Sequence, residues 1–252
     1  MKTRNSIIAR LFIATGVSLC AATSAWAVTP TTVGFDDGDD GGFVGNAFFE
    51  STGGNPDGNA RFFVQAFGIS LRTGEEGGPV NSDFLGDYSE FGEVTISFDI
   101  QVNSITNFFG GEIPAAIGIS LIDRDVQGPS GSSGVFLQMG VVSADANSEW
   151  TTLSATISDP SSMLLPPGWI GFGDEDPNTF EPVLPDGATF ASVLASVDEF
   201  QITTFVPGFF FTNSNYDLRI DNVSLSASPV PLPGAIWLFG AALLSLAGRR
   251  KE

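Results

Sequence analysis

Between residues 94 and 102 apolar and polar positions alternate without a break. Val94, Ile96, Phe98, Ile100 and Val102 fall on one face, and Thr95, Ser97, Asp99 and Gln101 fall on the other. A period of two is the signature of a strand with one buried side. Similar runs occur at 60–67, 116–122, 134–142, 150–157, 199–206 and 218–226. Gly, Pro, Asn and Asp gather between them, as tight turns require. No apolar segment of this middle region keeps a long helical period, and only 189–196 reads as a short helix. The gaps at 72–83 and 159–187 read as loops. The expected fold is all-β, an antiparallel β-sandwich of the jelly-roll kind.

The two ends break this pattern. Lys2, Arg4 and Arg10 precede and flank an apolar run over 11–22, and Ala25-Trp26-Ala27 closes it. Positive charge, apolar core and small-x-small site, in that order, define a secretory signal helix over 1–27, cut after Ala27. At the other end Val230-Pro231-Leu232-Pro233 leads into an uncharged stretch over 234–248, followed by Arg249-Arg250-Lys251. The expectation is a short transmembrane helix with a cytoplasmic basic end. The prolines prevent it from extending backwards. The chain thus divides into a signal segment 1–27, a sandwich 28–228 and a sorting segment 229–252.

The tail resembles the PEP-CTERM sorting signal of Gram-negative bacteria. The likeness rests on the Pro-x-Pro motif at Val230, Pro231, Leu232 and Pro233, the helix opening Ile236-Trp237-Leu238-Phe239-Gly240, and the basic Arg249, Arg250 and Lys251. Leu232 stands where that motif usually has Glu. The resemblance implies processing by an exosortase-type membrane enzyme and transient residence in the inner membrane. It also implies delivery to the cell surface or to an exopolysaccharide or biofilm matrix.

Removing the ends changes the charge picture. The whole chain carries −19, but 28–228 holds four arginines (Arg61, Arg72, Arg124 and Arg219) against 28 acids, a net of −24. So acidic a surface excludes nucleic-acid binding and repels anionic polymers unless divalent cations bridge them. The chain has no histidine, which removes the Ser-His-Asp triad, His-ligated zinc and the imidazole base. Its one cysteine, Cys20, lies in the signal segment, so the exported domain relies on its core or on bound ions rather than on disulfides.

A second resemblance covers 83–225. Phe84-Leu85-Gly86-Asp87-Tyr88 before the strand at Val94, Trp150-Thr151-Thr152-Leu153, the 190–197 segment leading to Phe200-Gln201-Ile202, and Leu218-Arg219-Ile220-Asp221-Asn222 occur in the order found in laminin IV-type (laminin B) domains. The resemblance implies a jelly-roll sandwich related to galactose-binding-like and carbohydrate-binding modules. Such folds host many functions, so the site must decide.

Candidate chemistry is sparse. Asp36, Asp37 and Asp39 lie in an Asp/Gly-rich turn that offers hard oxygen ligands for Ca²⁺, with Asp221 of the last strand as a partner across the fold. Jelly-roll binding modules often hold one such structural ion. Tyr88, Trp169 and Phe209-Phe210-Phe211 are the aromatics least explained by strand alternation, and Tyr88 and Trp169 are candidates for stacking on sugar rings. Asp174-Glu175-Asp176 offers carboxylates for a glycoside hydrolase or lyase. The expected function is a non-enzymatic surface or matrix sandwich. A calcium-dependent carbohydrate-binding module is the first alternative and a carboxylate enzyme the second, with extracellular polysaccharide the expected partner.

Overall fold

Val94, Ile96, Phe98, Ile100 and Val102 are all fully buried, as their alternation requires. They lie on one of the two longest strands of a computed structural model that describes residues 30–230, except Glu75 and Ser130. The signal segment and all of the sorting segment beyond Val230, including its expected membrane helix, lie outside the described residues. Among the described residues no helix is long and apolar enough to cross a membrane.

In chain order the strands are β1 (Thr31–Val33), β2 (Val44–Gly45), β3 (Phe48–Glu50), β4 (Asn59–Ala66), β5 (Ser70–Thr73), β6 (Phe91–Asn107) and β7 (Ala115–Gly128). There follow β8 (Gly131–Val142), β9 (Thr151–Ile157), β10 (Trp169–Phe172), β11 (Asp174–Glu175), β12 (Pro182–Val183), β13 (Glu199–Thr203) and β14 (Ser214–Pro229). Helices α1 (Ala144–Asn147) and α2 (Phe190–Leu194) are single turns. The first sheet runs β3-β4-β14-β6-β9 with β1 added to β14, and the second runs β10-β8-β7-β13-β5-β2. All pairings are antiparallel. The two sheets enclose one core, so the chain is an antiparallel jelly-roll β-sandwich.

The core is aromatic. Phe84 lies 5.3 Å from both Phe43 and Phe200, centroid to centroid, and Phe43 is 6.2 Å from Phe200. These three rings come from three separate parts of the chain and fill the space where the second sheet meets its loops. The helix expected at 189–196 is α2. Thr189 Oγ1 accepts from Ser192 N, while Ser192 Oγ accepts from Thr189 N, a reciprocal cap.

Two expected loops contain strands. The 72–83 segment begins inside β5, and 159–187 contains β10 and the β11–β12 hairpin. Trp169–Phe172 is only four residues between turns and becomes a strand because β8 offers it a free edge, with Trp169 opposite Leu137 and Phe172 opposite Gly134. Such pairing is a tertiary effect that local pattern does not carry.

Candidate functional site

Phe200 and Ile202 of β13 point into the core, so Gln201 between them faces outward. The register then defines a row across the outside of the second sheet. Arg72 of β5 faces Gln201, Gln201 faces Ser120 of β7, Ser120 faces Phe136 of β8, and Phe136 faces Ile170 of β10. A parallel row holds Glu199, Ile122, Gly134 and Phe172. Glycine has a specific role in these rows. A Cβ on Gly134 would lie 2.4 Å from the Phe172 ring, and one on Gly118 would lie 2.7 Å from the ring of Phe136. Both rings reach over bare backbone, and the neighbouring strand's carbonyls crowd the same space, which is what a strand glycine permits.

The segment from β13 to β14 folds back over this face. Thr203 Oγ1 donates to the carbonyl of Ile69, and Thr204 Oγ1 accepts from Ile69 N, both at 2.9 Å, tying the loop to the start of β5. The loop lays Phe205 and Phe211 edge to face, 4.9 Å apart. Between this pair and Phe172 lies an open groove of ≈ 360 Å³ with Ser120, Ile122 and Gln201 on its floor. A second cavity of ≈ 500 Å³ lies on the other side of Pro207 and Gly208, lined by Trp169, Leu165 and Phe209. At the end of the floor Arg124 is ion-paired to the buried Glu199 and donates a 2.5 Å hydrogen bond to the carbonyl of Gly74. Gln201 Nε2 donates to the same carboxylate. The floor thus mixes polar Ser120 and Gln201 with apolar Ile122, and the charges at its end are paired with each other.

Of the sequence-proposed aromatics, Trp169 borders the second cavity and stacks edge-on against Phe190 at 5.1 Å. Tyr88 is a correction. It is only 3% exposed, its hydroxyl donates to the carbonyl of Phe84 at 2.7 Å, and burial pushes the phenol well above its ordinary range. It is a core residue, because the 84–92 turn folds it inward to satisfy a buried carbonyl. Phe209, Phe210 and Phe211 are on the surface. Phe172 and Phe205 are not among the stacking candidates that the sequence offers. Phe205 lay inside an expected strand and Phe172 inside an expected loop, and only the register places them over one floor.

The acidic turn is divided between two environments. Asp39 Oδ1 accepts from Gly41 N at 2.7 Å and so serves the turn itself, and Asp37 is exposed. Asp36 and Asp221 do come together electrostatically, in company with Asp99, which faces Asp221 across the β6–β14 ladder. Both Asp221 oxygens accept backbone amides, from Asn55 at 2.5 Å and from Asn222 at 2.7 Å. Asp99 accepts from Asn55 Nδ2, Asn222 Nδ2 and Thr152 Oγ1. The donor set suits a hard cation in type, yet the Asp221 oxygens are already engaged by protein donors. Burial, then the charges of Asp99 and Asp36, push the Asp221 carboxyl up to about 6 against the pull of the two amides. A folded pKa above the unfolded value of about 3.9 means that protonation favours the fold. The contribution is fully present below pH ~4 and is lost as pH rises through about 6. Thermal melts of Asp221→Asn at pH 4 and pH 7.5 will therefore show a smaller difference than those of the parent. An undiminished difference would show that Asp221 is not the titrating group.

Asp176 Oδ1 accepts from Asn178 N and Thr179 N, and these bonds lower its pKa, the reverse of what a general acid needs. Elsewhere Asp123, Asp125 and Asp198 bring carboxylate oxygens within 4.8 Å of one another. Asp198 is 73 residues beyond Asp125, and only the β7–β13 pairing brings it to the other two, so no local spacing marks this group.

No family model and no curated protein matches the chain. Solved structures do. The chain is similar to the tandem CBM22-1–CBM22-2 domain of Paenibacillus barcinonensis Xyn10C, at 12% identity and TM-score 0.45, over 79% of this chain and 50% of that one. It thus spans half the length of that tandem. It is also similar to the family 11 carbohydrate-binding module of Clostridium thermocellum, solved with a β-1,3-1,4-mixed-linked tetrasaccharide, at 13% identity and TM-score 0.45, over 81% of this chain and 99% of that one. An exo-beta-agarase matches at 13% identity and TM-score 0.44, over 82% of this chain and 26% of that one. The likeness is one of fold.

Proposed function

We propose that the protein is an exported, non-enzymatic module that holds polysaccharide in the groove on the outer face of the second sheet. The observation that carries this reading is the aromatic wall of Phe172, Phe205 and Phe211 above the polar floor of Ser120 and Gln201. Aromatic faces pack on the apolar faces of sugar rings, while a few fixed polar groups orient the hydroxyls. The groove is open to solvent, which suits a chain rather than a small enclosed ligand. The signal segment and the tail that resembles a sorting signal support export and delivery to the cell surface through an exosortase-type enzyme. Fractionation of the tagged protein in its host tests that step, and retention in the cytoplasm would refute it.

Binding is tested by affinity electrophoresis of the purified protein through gels containing xylan, mixed-linkage glucan, agarose or the polysaccharide of its host. The parent is retarded by at least one. Phe205→Ala/Phe211→Ala loses at least tenfold in affinity, about 1.4 kcal/mol or more, with little change in melting temperature because both rings are partly exposed. Among the described residues no carboxylate lines the groove, so retardation is the same with and without chelator. Free migration of the parent in every gel, or equal retardation of the variant, would overturn the reading.

A further inference from the structure

Phenylalanine also gathers where nothing in the groove requires it. Ala66 at the end of β4 and Asn107 at the end of β6 both face Ser214 at the start of β14. The three loops that leave these positions therefore share one end of the sandwich. They carry Phe67 (62% exposed), Phe108 (64%), Phe109 (92%), Phe209 (68%) and Phe210 (103%). Phe67, Phe209 and Phe210 border one shared depression with Ile113 and Pro114, which close the turn that also holds Phe108 and Phe109. The segment 204–213 contains no charged residue in a domain of net charge −24, and the 107–114 turn contains only Glu112.

We infer that this end of the sandwich is a self-association surface, on which two copies meet end to end through the five phenylalanines. Area supports the assignment. The five rings together expose the equivalent of about four whole phenylalanines, on the order of 800 Å². Patches on monomers reach about 300–600 Å², and a specific interface takes about 800 Å² from each partner. Charge selects the occupant. Two strongly acidic copies repel through their flanks, and this end is where they approach with the least like charge between them. Chain geometry points the same way. β14 carries the chain from Ser214 at this end to Pro229, about 50 Å away in extended backbone, and β1 pairs with the far half of β14. Both described ends of the chain thus leave from the opposite half, which makes a second copy a better fit than the chain's own tails. The rings are phenylalanine, without the polar handle of Tyr or Trp, which suits a dry contact between like surfaces. A two-fold pairing satisfies the patch with itself and closes the assembly at the dimer.

Sedimentation velocity of the purified protein between 5 and 100 µM tests the inference. The parent sediments as a dimer at the upper concentrations, and 1 M sodium sulfate strengthens the association. Phe109→Ser/Phe210→Ser sediments as a monomer throughout, while its circular dichroism and melting profile match those of the parent monomer. Neither residue lines the groove, so polysaccharide retardation per domain persists and failure of one proposal is separable from failure of the other. A parent that stays monomeric at 100 µM overturns the inference, whether or not it floats with phosphatidylcholine vesicles. So does a dimer that survives the double substitution.

Discussion

Phe84→Ala lowers the unfolding temperature by roughly 10 °C, a loss of about 3–5 kcal/mol. The ring is fully buried and touches Phe43 and Phe200 at equal distances of 5.3 Å. Its backbone carbonyl also receives the Tyr88 hydroxyl. Truncation leaves a cavity between three segments that belong to different elements, and none can close it without moving a strand. Phe84→Leu keeps most of the volume and loses about a third as much. Scanning calorimetry of both variants checks the ordering. A loss below about 1 kcal/mol for the alanine would mean that the site collapses and that the aromatic cluster is looser than its geometry implies.

Arg124→Ala is expected to cost about 3 kcal/mol, a large effect for a single arginine. The cause is what it leaves behind. Glu199 is buried at the end of the groove floor, and Arg124 is ion-paired to it. A half-exposed ion pair would contribute little, but an orphaned buried carboxylate is costly. Arg124→Met/Glu199→Leu should recover most of the loss, because it removes both charges together. Urea denaturation of the two single variants and the double variant measures the coupling. Additive losses would show that the pair is not the source. Gln201 hydrogen-bonds the same carboxylate, so Arg124→Ala also weakens polysaccharide binding, and the double variant does not restore it in full.

The sandwich was legible because its strands bury one face. β6, β7, β8, β9, β13 and β14 all fall on runs whose alternation is plain in the sequence. The runs underestimate the longest strands and overestimate β13, which ends at Thr203 rather than Val206. β14 spans 16 residues against the nine expected, because its flanking residues pair without alternating cleanly. Strands of two to four residues were not legible, since β2, β3, β5 and β10 exist only as edges or bridges to longer neighbours. The groove was half legible. The 209–211 triplet stood out because three consecutive phenylalanines cannot alternate. Phe172 and Phe205 are 33 positions apart, and only the β13–β7–β8–β10 order brings them over one floor. Tyr88 looked like a loop aromatic because no local pattern records that its hydroxyl completes a buried carbonyl. Asp36 is near enough to raise the Asp221 pKa, but the amides of Asn55 and Asn222 that take up the Asp221 oxygens come from backbone geometry that spacing does not encode.

The length of β14 has a mechanical consequence. It is bonded to β6 along nearly its whole course, to β4 over its first half and to β1 over its second. A force drawn on the C-terminal end of the sandwich acts along the strand axis, at right angles to these rungs. The rungs are then loaded in shear and share the tension, instead of parting one at a time as in a peeled edge. The strand that carries the pull is also the most widely bonded one, so tension meets the sandwich along its stiffest direction.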